Sequence, residues 1–199
     1  MATRFTHLKP GLVGALAAVT LAACAGGTTV SRVNIAHSYL PDELYVVATG
    51  ENELRTVVVG DPFGMPKDAF AKVVLASLER QNFGPTLNLS TDPEHEDARK
   101  RQVVLAFNLT NIKQADSLCA GAADTVKSTD TGGALTVTGV YCSGGGGYLT
   151  QATARSDNVT GADSEQFRKV MSQLAIALFP DVNPHLRPDG SDIVPLPKS

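Results

Sequence analysis

The sequence predicts an α+β fold: a single domain on an antiparallel or mixed sheet, in the order β-β-α-β-β-β-α, with two helices on one face. Three observations carry the prediction. Large apolar side chains recur at helical spacing from Phe167 to Leu178. Val103, Leu105, Phe107 and Leu109 alternate with period two, as in a half-buried strand. Two strand-like runs, 135–141 and 148–155, flank Ser143 and the four glycines Gly144 to Gly147, as the arms of a hairpin do. The chain has 199 residues, 43% of them apolar and 19% charged, which suffices for one core and is too apolar for disorder.

Each element has its own local reason. Residues 44–49 and 54–59 are rich in Tyr, Val and Thr and are separated by Gly50-Glu51-Asn52, the pattern of a first hairpin. Gly60-Asp61-Pro62-Phe63-Gly64-Met65-Pro66 cannot continue a strand and reads as a turn. Over 67–81, Phe70, Val73, Val74 and Leu78 share a helical face, and Pro66 suits the first turn, where its missing N–H costs nothing. Asn82-Phe83-Gly84-Pro85 stops that helix. A polar passage, 90–101, leads to the strand at 103–109, and residues 111–133 read as a long Gly-rich loop. In the last helix Asp163 is the expected N-cap, with Gln166 three residues on as its capping-box partner, and Pro180 is the stop. The domain is expected to span 42–180. Five prolines in 180–199 predict an extended tail over 181–199.

The N-terminus carries an address. Arg4, His7 and Lys9 precede GLVGALAAVTLAA, residues 11–23, with no acidic residue before Asp42. A basic segment before a short apolar one is the layout of a secretory signal. Thirteen helical residues reach about 20 Å, short of the ~30 Å hydrocarbon core, so this segment does not predict a permanent membrane span. Its end, Leu21-Ala22-Ala23-Cys24, resembles the lipobox of bacterial lipoprotein precursors. The resemblance covers residues 1–24. It implies a signal peptide over 1–23, a diacylglyceryl thioether on Cys24, cleavage after Ala23, acylation of the new amino group, and a lipidated tether over 24–41 with a short strand at 31–35. An ordinary signal peptide that happens to abut a cysteine is the competing reading. In enteric lipoproteins an Asp after the cysteine favours the inner membrane, so Ala25 implies the outer membrane, with the domain facing the periplasm.

Cleavage would remove Arg4 and Lys9 and no acid, taking the formal charge from −3 to −5. Such a domain does not hold anionic head groups by bulk charge, and two or three acyl chains would do the anchoring at about 0.8 kcal/mol per buried methylene. The acidic balance also argues against a nucleic-acid partner. With Cys24 lipidated, Cys119 and Cys142 remain as an even pair in an exported protein, where disulfides persist; bridging them is worth about 3 kcal/mol in the chain-entropy account. A redox or metal centre is the weaker reading, since 22 residues separate the two and no His adjoins either.

No catalytic motif is encoded. Gly-x-Ser-x-Gly and Ser-x-x-Lys are absent, and Gly144 to Gly147 lack the Lys-Ser/Thr of a phosphate loop. His7, His37, His95 and His185 lie far apart, so no zinc helix is expected, and no cofactor is implied. Glu94-His95-Glu96-Asp97 reads as a solvated acidic loop, and Arg99-Lys100-Arg101 as charges flanking an apolar strand rather than a phosphate dock. Tyr141 and Tyr148 are expected to pack across the second hairpin. The Asn-x-Ser/Thr triplets at Asn88, Asn108 and Asn158 carry little meaning in a bacterial lipoprotein. The strongest site candidate is the loop 60–66, between a strand and a helix N-terminus where an anion is favoured; Phe63 there reads first as an anchor covering the sheet edge. The expectation is therefore a membrane-anchored, non-catalytic binding or assembly module of the envelope, with other envelope proteins as candidate partners and no identifiable small-molecule ligand. The alternative is a periplasmic hydrolase whose groups, for instance Asp61 with a Ser and a His, meet only in the fold. A third is a purely structural role for the Pro-rich tail.

Overall fold

The computed structural model describes residues 27–94, 101–109, 115–121 and 133–186. In chain order the elements are β1 (Thr28–Ile35), α1 (Pro41–Ala48), β2 (Leu54–Val59), α2 (Lys67–Leu78), β3 (Leu89–Ser90), β4 (Gln102–Phe107), α3 (Ala115–Cys119), β5 (Leu135–Cys142), β6 (Tyr148–Ser156) and α4 (Glu165–Leu178). The strands form one mixed sheet in the order β1-β6-β5-β4-β2-β3. Strand β2 runs parallel to β3 and β4, and the remaining pairs are antiparallel. The fold is thus the α+β sheet the sequence predicts.

The main core lies between the sheet and the helices α2 and α4. The rings of Phe70, Phe107 and Phe167 meet there, with centroids 4.9 to 6.3 Å apart. Helix α4 buries Phe167, Val170, Met171, Leu174, Ala175 and Leu178, the stripe its sequence shows. Leu178 is also held at the backbone, where its carbonyl accepts from the Thr150 hydroxyl at 2.5 Å.

Four expectations are corrected. Residues 44–49 are not a strand but most of α1, so the first hairpin does not exist, and β2 pairs in parallel with β3 and β4 instead. Pro41 opens this helix, Asp42 and Glu43 suit its N-terminal dipole, and Leu44 and Ala48, one turn apart, both enter the core. Burial at that spacing outweighs the β preference of Tyr45, Val46 and Val47. Second, β4 is buried on both faces rather than half-buried. Val103, Leu105 and Phe107 face the main core, while Val104 and Ala106 face a second cluster with Leu118, Val140 and the disulfide. Helix α3 supplies that cover from within the expected loop. The Cys119–Cys142 disulfide ties it to β5 across a Cα separation of 5.5 Å.

Third, Tyr141 and Tyr148 do not pack against each other. Tyr141 is buried in the main core, edge-on to Tyr39 and Phe179, whereas Tyr148 joins the second cluster on the opposite face. Fourth, the ordered domain reaches beyond 42–180. The short strand expected at 31–35 is eight residues long and forms the sheet edge beside β6. At the other terminus Asn183, within the segment expected as an extended tail, is buried and bonded to the Tyr39 carbonyl. Residues 187–199 and Cys24 lie outside the described residues.

Candidate functional site

A cleft of about 1090 Å³ opens at the end of the sheet where β2, β4 and β6 finish and β5 begins. The loop after β2 forms one wall. Gly60 turns the chain at φ 83° and Gly64 at φ 68°, a region that glycine adopts without a Cβ penalty. Between them Asp61 Oδ1 accepts the Phe63 backbone N–H at 3.0 Å, a local turn that engages the carboxylate. The Phe63 ring lies edge-on to Phe70 at 6.0 Å and to Phe167 at 5.8 Å. Phe63 is therefore the anchor that fixes this loop over the core, and the anion reading of 60–66 loses its ground because Asp61 brings a negative charge there.

Asn108 closes the end of β4. It is buried, in the left-handed region at φ 47°, with its backbone N–H bonded to the Thr136 carbonyl at 2.8 Å and its Oδ1 accepting from Thr136 N–H at 2.8 Å. Asparagine tolerates that conformation better than most side chains. Asn158, at φ 62°, turns the chain after β6, and the next residue's N–H donates to the Gly133 carbonyl at 2.7 Å. Asn88, the asparagine of the remaining Asn-x-Ser/Thr triplet, donates to the Gly50 carbonyl at 2.6 Å and joins the end of α1 to the start of β3. These residues organise turns. Sequence reasoning missed them, and the only available signal was an Asn at the edge of a strand-like run.

The remaining wall, 158–163, leads into α4. The N-cap is Ser164, not Asp163: its Oγ accepts from Phe167 N–H at 3.1 Å. The expected Gln166 partner does not complete a capping box; its Oε1 is buried without a hydrogen-bond partner. Ser164 Oγ also donates to the Gly161 carbonyl at 2.7 Å, which fixes the loop against the helix start.

The cleft combines apolar surface from Phe63, Met65, Leu135 and Val159 with polar groups from Asp61, Asn108, Asn158 and Asp163. Among the described residues lining it, the ionisable groups are two carboxylates, with no Ser, His, Cys or Lys beside them. Among the described residues, neither a Ser nor a His lines the cleft beside Asp61. His37 and His185 stack at a centroid distance of 4.2 Å on the segments 36–40 and 181–186, away from it. The arrangement can accept hydrogen bonds and cover apolar surface, which suits binding.

Other sequence candidates fall elsewhere. Arg101 Nη2 meets Glu43 Oε2 at 2.6 Å, and its Nη1 donates to the Tyr141 hydroxyl at 3.5 Å, so this member of the basic triplet is used inside the fold. Burial pushes the Tyr141 phenol above its ordinary value, with the Arg101 guanidinium pulling the other way. Arg99, Lys100, His95, Glu96 and Asp97 lie outside the described residues. The glycine loop is a hairpin turn closed by Ser143 N–H on the Gly147 carbonyl at 2.8 Å. Among the described residues no helix is long and apolar enough to cross a membrane, and no cluster of three metal-ligating side chains occurs.

No protein-family model matches the sequence, and no curated protein matches it. Among solved structures the chain is similar to the PelC dodecamer from Paraburkholderia phytofirmans, with a TM-score of 0.39 and 13% identity over 77% of this chain and 97% of that one. It is likewise similar to a single-substitution variant of that dodecamer, with a TM-score of 0.41 and 12% identity over the same shares.

Proposed function

We propose that this chain is a lipoprotein of the bacterial cell envelope, held to the outer membrane through acyl chains on Cys24 and facing the periplasm. It acts as a non-catalytic binding or assembly module, with the cleft as its contact surface. The observation that carries the reading is the sequence Leu21-Ala22-Ala23-Cys24 placed three residues ahead of a sheet strand. Only Ala25, Gly26 and Gly27 stand between the lipidation cysteine and β1. A cut after Ala23 would therefore leave the domain entire. The bridged pair of remaining cysteines supports an exported location, since disulfides persist outside the reducing cytosol. The mixed apolar and polar lining of the cleft supports binding.

The test is the intact mass and membrane fractionation of the native protein, compared with Cys24→Ser. A mass carrying acyl chains and recovery with the membrane, both lost in the variant, are the expected results. An unlipidated, soluble protein with a different N-terminus overturns the anchor and leaves Cys24 as an odd third thiol.

A further inference from the structure

The register of the sheet puts Thr28, four residues after Cys24 in sequence, and the cleft at one end of the domain. Thr28 pairs with Ser156, and Ser156 with Leu135; further across, Val137 pairs with Phe107 and Ala106 with Val59. These pairs mark the strand ends from which the cleft walls spring: the loop after β2, Asn108 after β4, Gly133 before β5 and 158–163 after β6. The opposite end carries the Gly144 to Gly147 turn, the start of α1 and the 181–186 segment.

Covalent reach turns this into an orientation. Thr28 follows Cys24 by four residues, and a chain of that length spans at most about 14 Å. The eight residues of β1 rise about 26 Å away from that point. The glycine turn therefore stands about 26 Å from Thr28 along the strands, nearly twice the reach of the tether.

We infer that the cleft end of the sheet is the membrane-apposed face of the domain, its partner the head-group layer of the bilayer that holds Cys24. The inference rests on the lipid anchor proposed above and adds which surface the anchor presents. Gly64, Asn158 and Thr160 are exposed on that rim and meet the head groups. Asp61 and Asp163 flank them and Arg168 is bonded to the Asp163 carbonyl at 2.6 Å, so both signs of charge stand at this end and suit zwitterionic head groups, with amide and hydroxyl groups between them. The glycine turn and α1 point into the aqueous space.

The experiment uses full-length lipidated protein in phosphatidylcholine vesicles containing a head-group quencher lipid. A fluorophore is placed at Thr160→Cys or at Gly145→Cys, the native Cys119 and Cys142 being bridged. The expected result is quenching about threefold stronger at 160 than at 145, as suits labels separated by about 25 Å along the membrane normal. Asp163→Cys and Val182→Cys, both exposed, give an independent pair should either first variant fold poorly. Equal quenching within both pairs, or stronger quenching at the far labels, in protein whose intact mass shows the lipid, overturns the orientation alone. An unlipidated mass overturns the anchor, and the orientation with it.

Discussion

The side-chain amide of Asn183 donates to the Tyr39 carbonyl at 2.8 Å, so a residue from the expected tail closes the turn between β1 and α1. The same nitrogen reaches the carbonyls of Ala36 at 2.9 Å and His37 at 3.3 Å, and Asn183 Oδ1 accepts from His185 N–H at 2.9 Å. The Tyr39 hydroxyl adds a bond to the Pro180 carbonyl at 2.7 Å. The segment after α4 is thereby fastened to the turn between β1 and α1.

Removing that donor takes the side-chain partner from the Tyr39 carbonyl in a buried setting and from the half-buried carbonyls of His37 and Ala36, the last of which keeps the Tyr39 N–H at 3.1 Å. Asn183→Ala is expected to lower unfolding free energy by about 1–3 kcal/mol, the usual cost of unsatisfied buried groups. Asn183→Asp, which cannot donate when ionised, does at least as much harm. Urea unfolding followed by circular dichroism measures both, with the exposed Val182→Ala as control, expected within about 0.5 kcal/mol of wild type. An Asn183→Ala midpoint equal to that of the control counts against the clasp.

The phenols beneath that clasp make stability depend on alkaline pH. Burial holds the Tyr39 pKa far above the ordinary tyrosine value, with the negative potential of Tyr45, Tyr141 and Asp181 adding to it. Burial raises Tyr141 as well, against the opposing pull of Arg101. A phenol that keeps its proton more tightly when folded ionises first in the unfolded chain. Its contribution is complete below about pH 10 and is lost as the pH rises above that value. Urea unfolding from pH 8 to 11.5 should show stability falling above pH 10, by at most about 1.4 kcal/mol per pH unit for each phenol. Tyr39→Phe should cost about 1 kcal/mol at neutral pH and make the alkaline fall shallower. A Tyr39→Phe slope equal to wild type would remove Tyr39 as its source.

The disulfide holds down the smaller of the two apolar clusters. Helix α3 has five residues, too short to be stable alone, and it covers Val104 and Ala106 from the face opposite α2 and α4. Cys119→Ala/Cys142→Ala, or reduction under native conditions, is expected to lower stability by about 3 kcal/mol. Hydrogen exchange should quicken first at Leu118 and Ala120, while α4 keeps its protection. Unfolding midpoints that coincide with and without reductant would deny the bridge a structural role.

What the sequence made legible follows the reach of each signal. Helix α4 and the β5–β6 hairpin were readable because their patterns complete themselves within a few residues: an apolar stripe in one, two strand runs and a glycine turn in the other. The loop over 60–66 was readable because glycine and proline leave the chain few choices. Helix α1 was not, because Tyr45, Val46 and Val47 favour a strand and only the core contacts of Leu44 and Ala48 decide otherwise. Strand β1 reads as polar, since it is an edge whose partner β6 lies more than a hundred residues on. The second buried face of β4 depends on α3, a segment with little apolar pattern of its own. At the cleft, Asn108 and Asn158 are set by backbone angles that composition does not reveal, and Asp163 and Ser164 are adjacent residues of equal capping aptitude.

Gly139 tests how closely α4 lies on the sheet. In mid-strand a glycine ordinarily weakens a sheet through backbone entropy, so its replacement by alanine would be expected to help. Here it stands opposite Leu105 on β4 and Ala152 on β6, directly beneath α4. A Cβ at this position would come within 2.9 Å of Leu178 Cδ2 and 3.4 Å of both Leu105 Cδ2 and Leu174 Cδ1. Leu178 would have to shift between Leu105 and Leu174, and overpacking of this kind costs about 1–3 kcal/mol, against an entropic gain of about 0.4–1 kcal/mol. Gly139→Ala is therefore expected to destabilise by about 1 kcal/mol. Leu178→Ala alone should cost about 2–5 kcal/mol, yet the two changes together should cost less than their sum, because the new methyl enters the space the leucine vacates. A double-mutant cycle in urea decides it: strict additivity, or a more stable Gly139→Ala, would mean that the sheet and α4 are not in the tight contact that glycine permits.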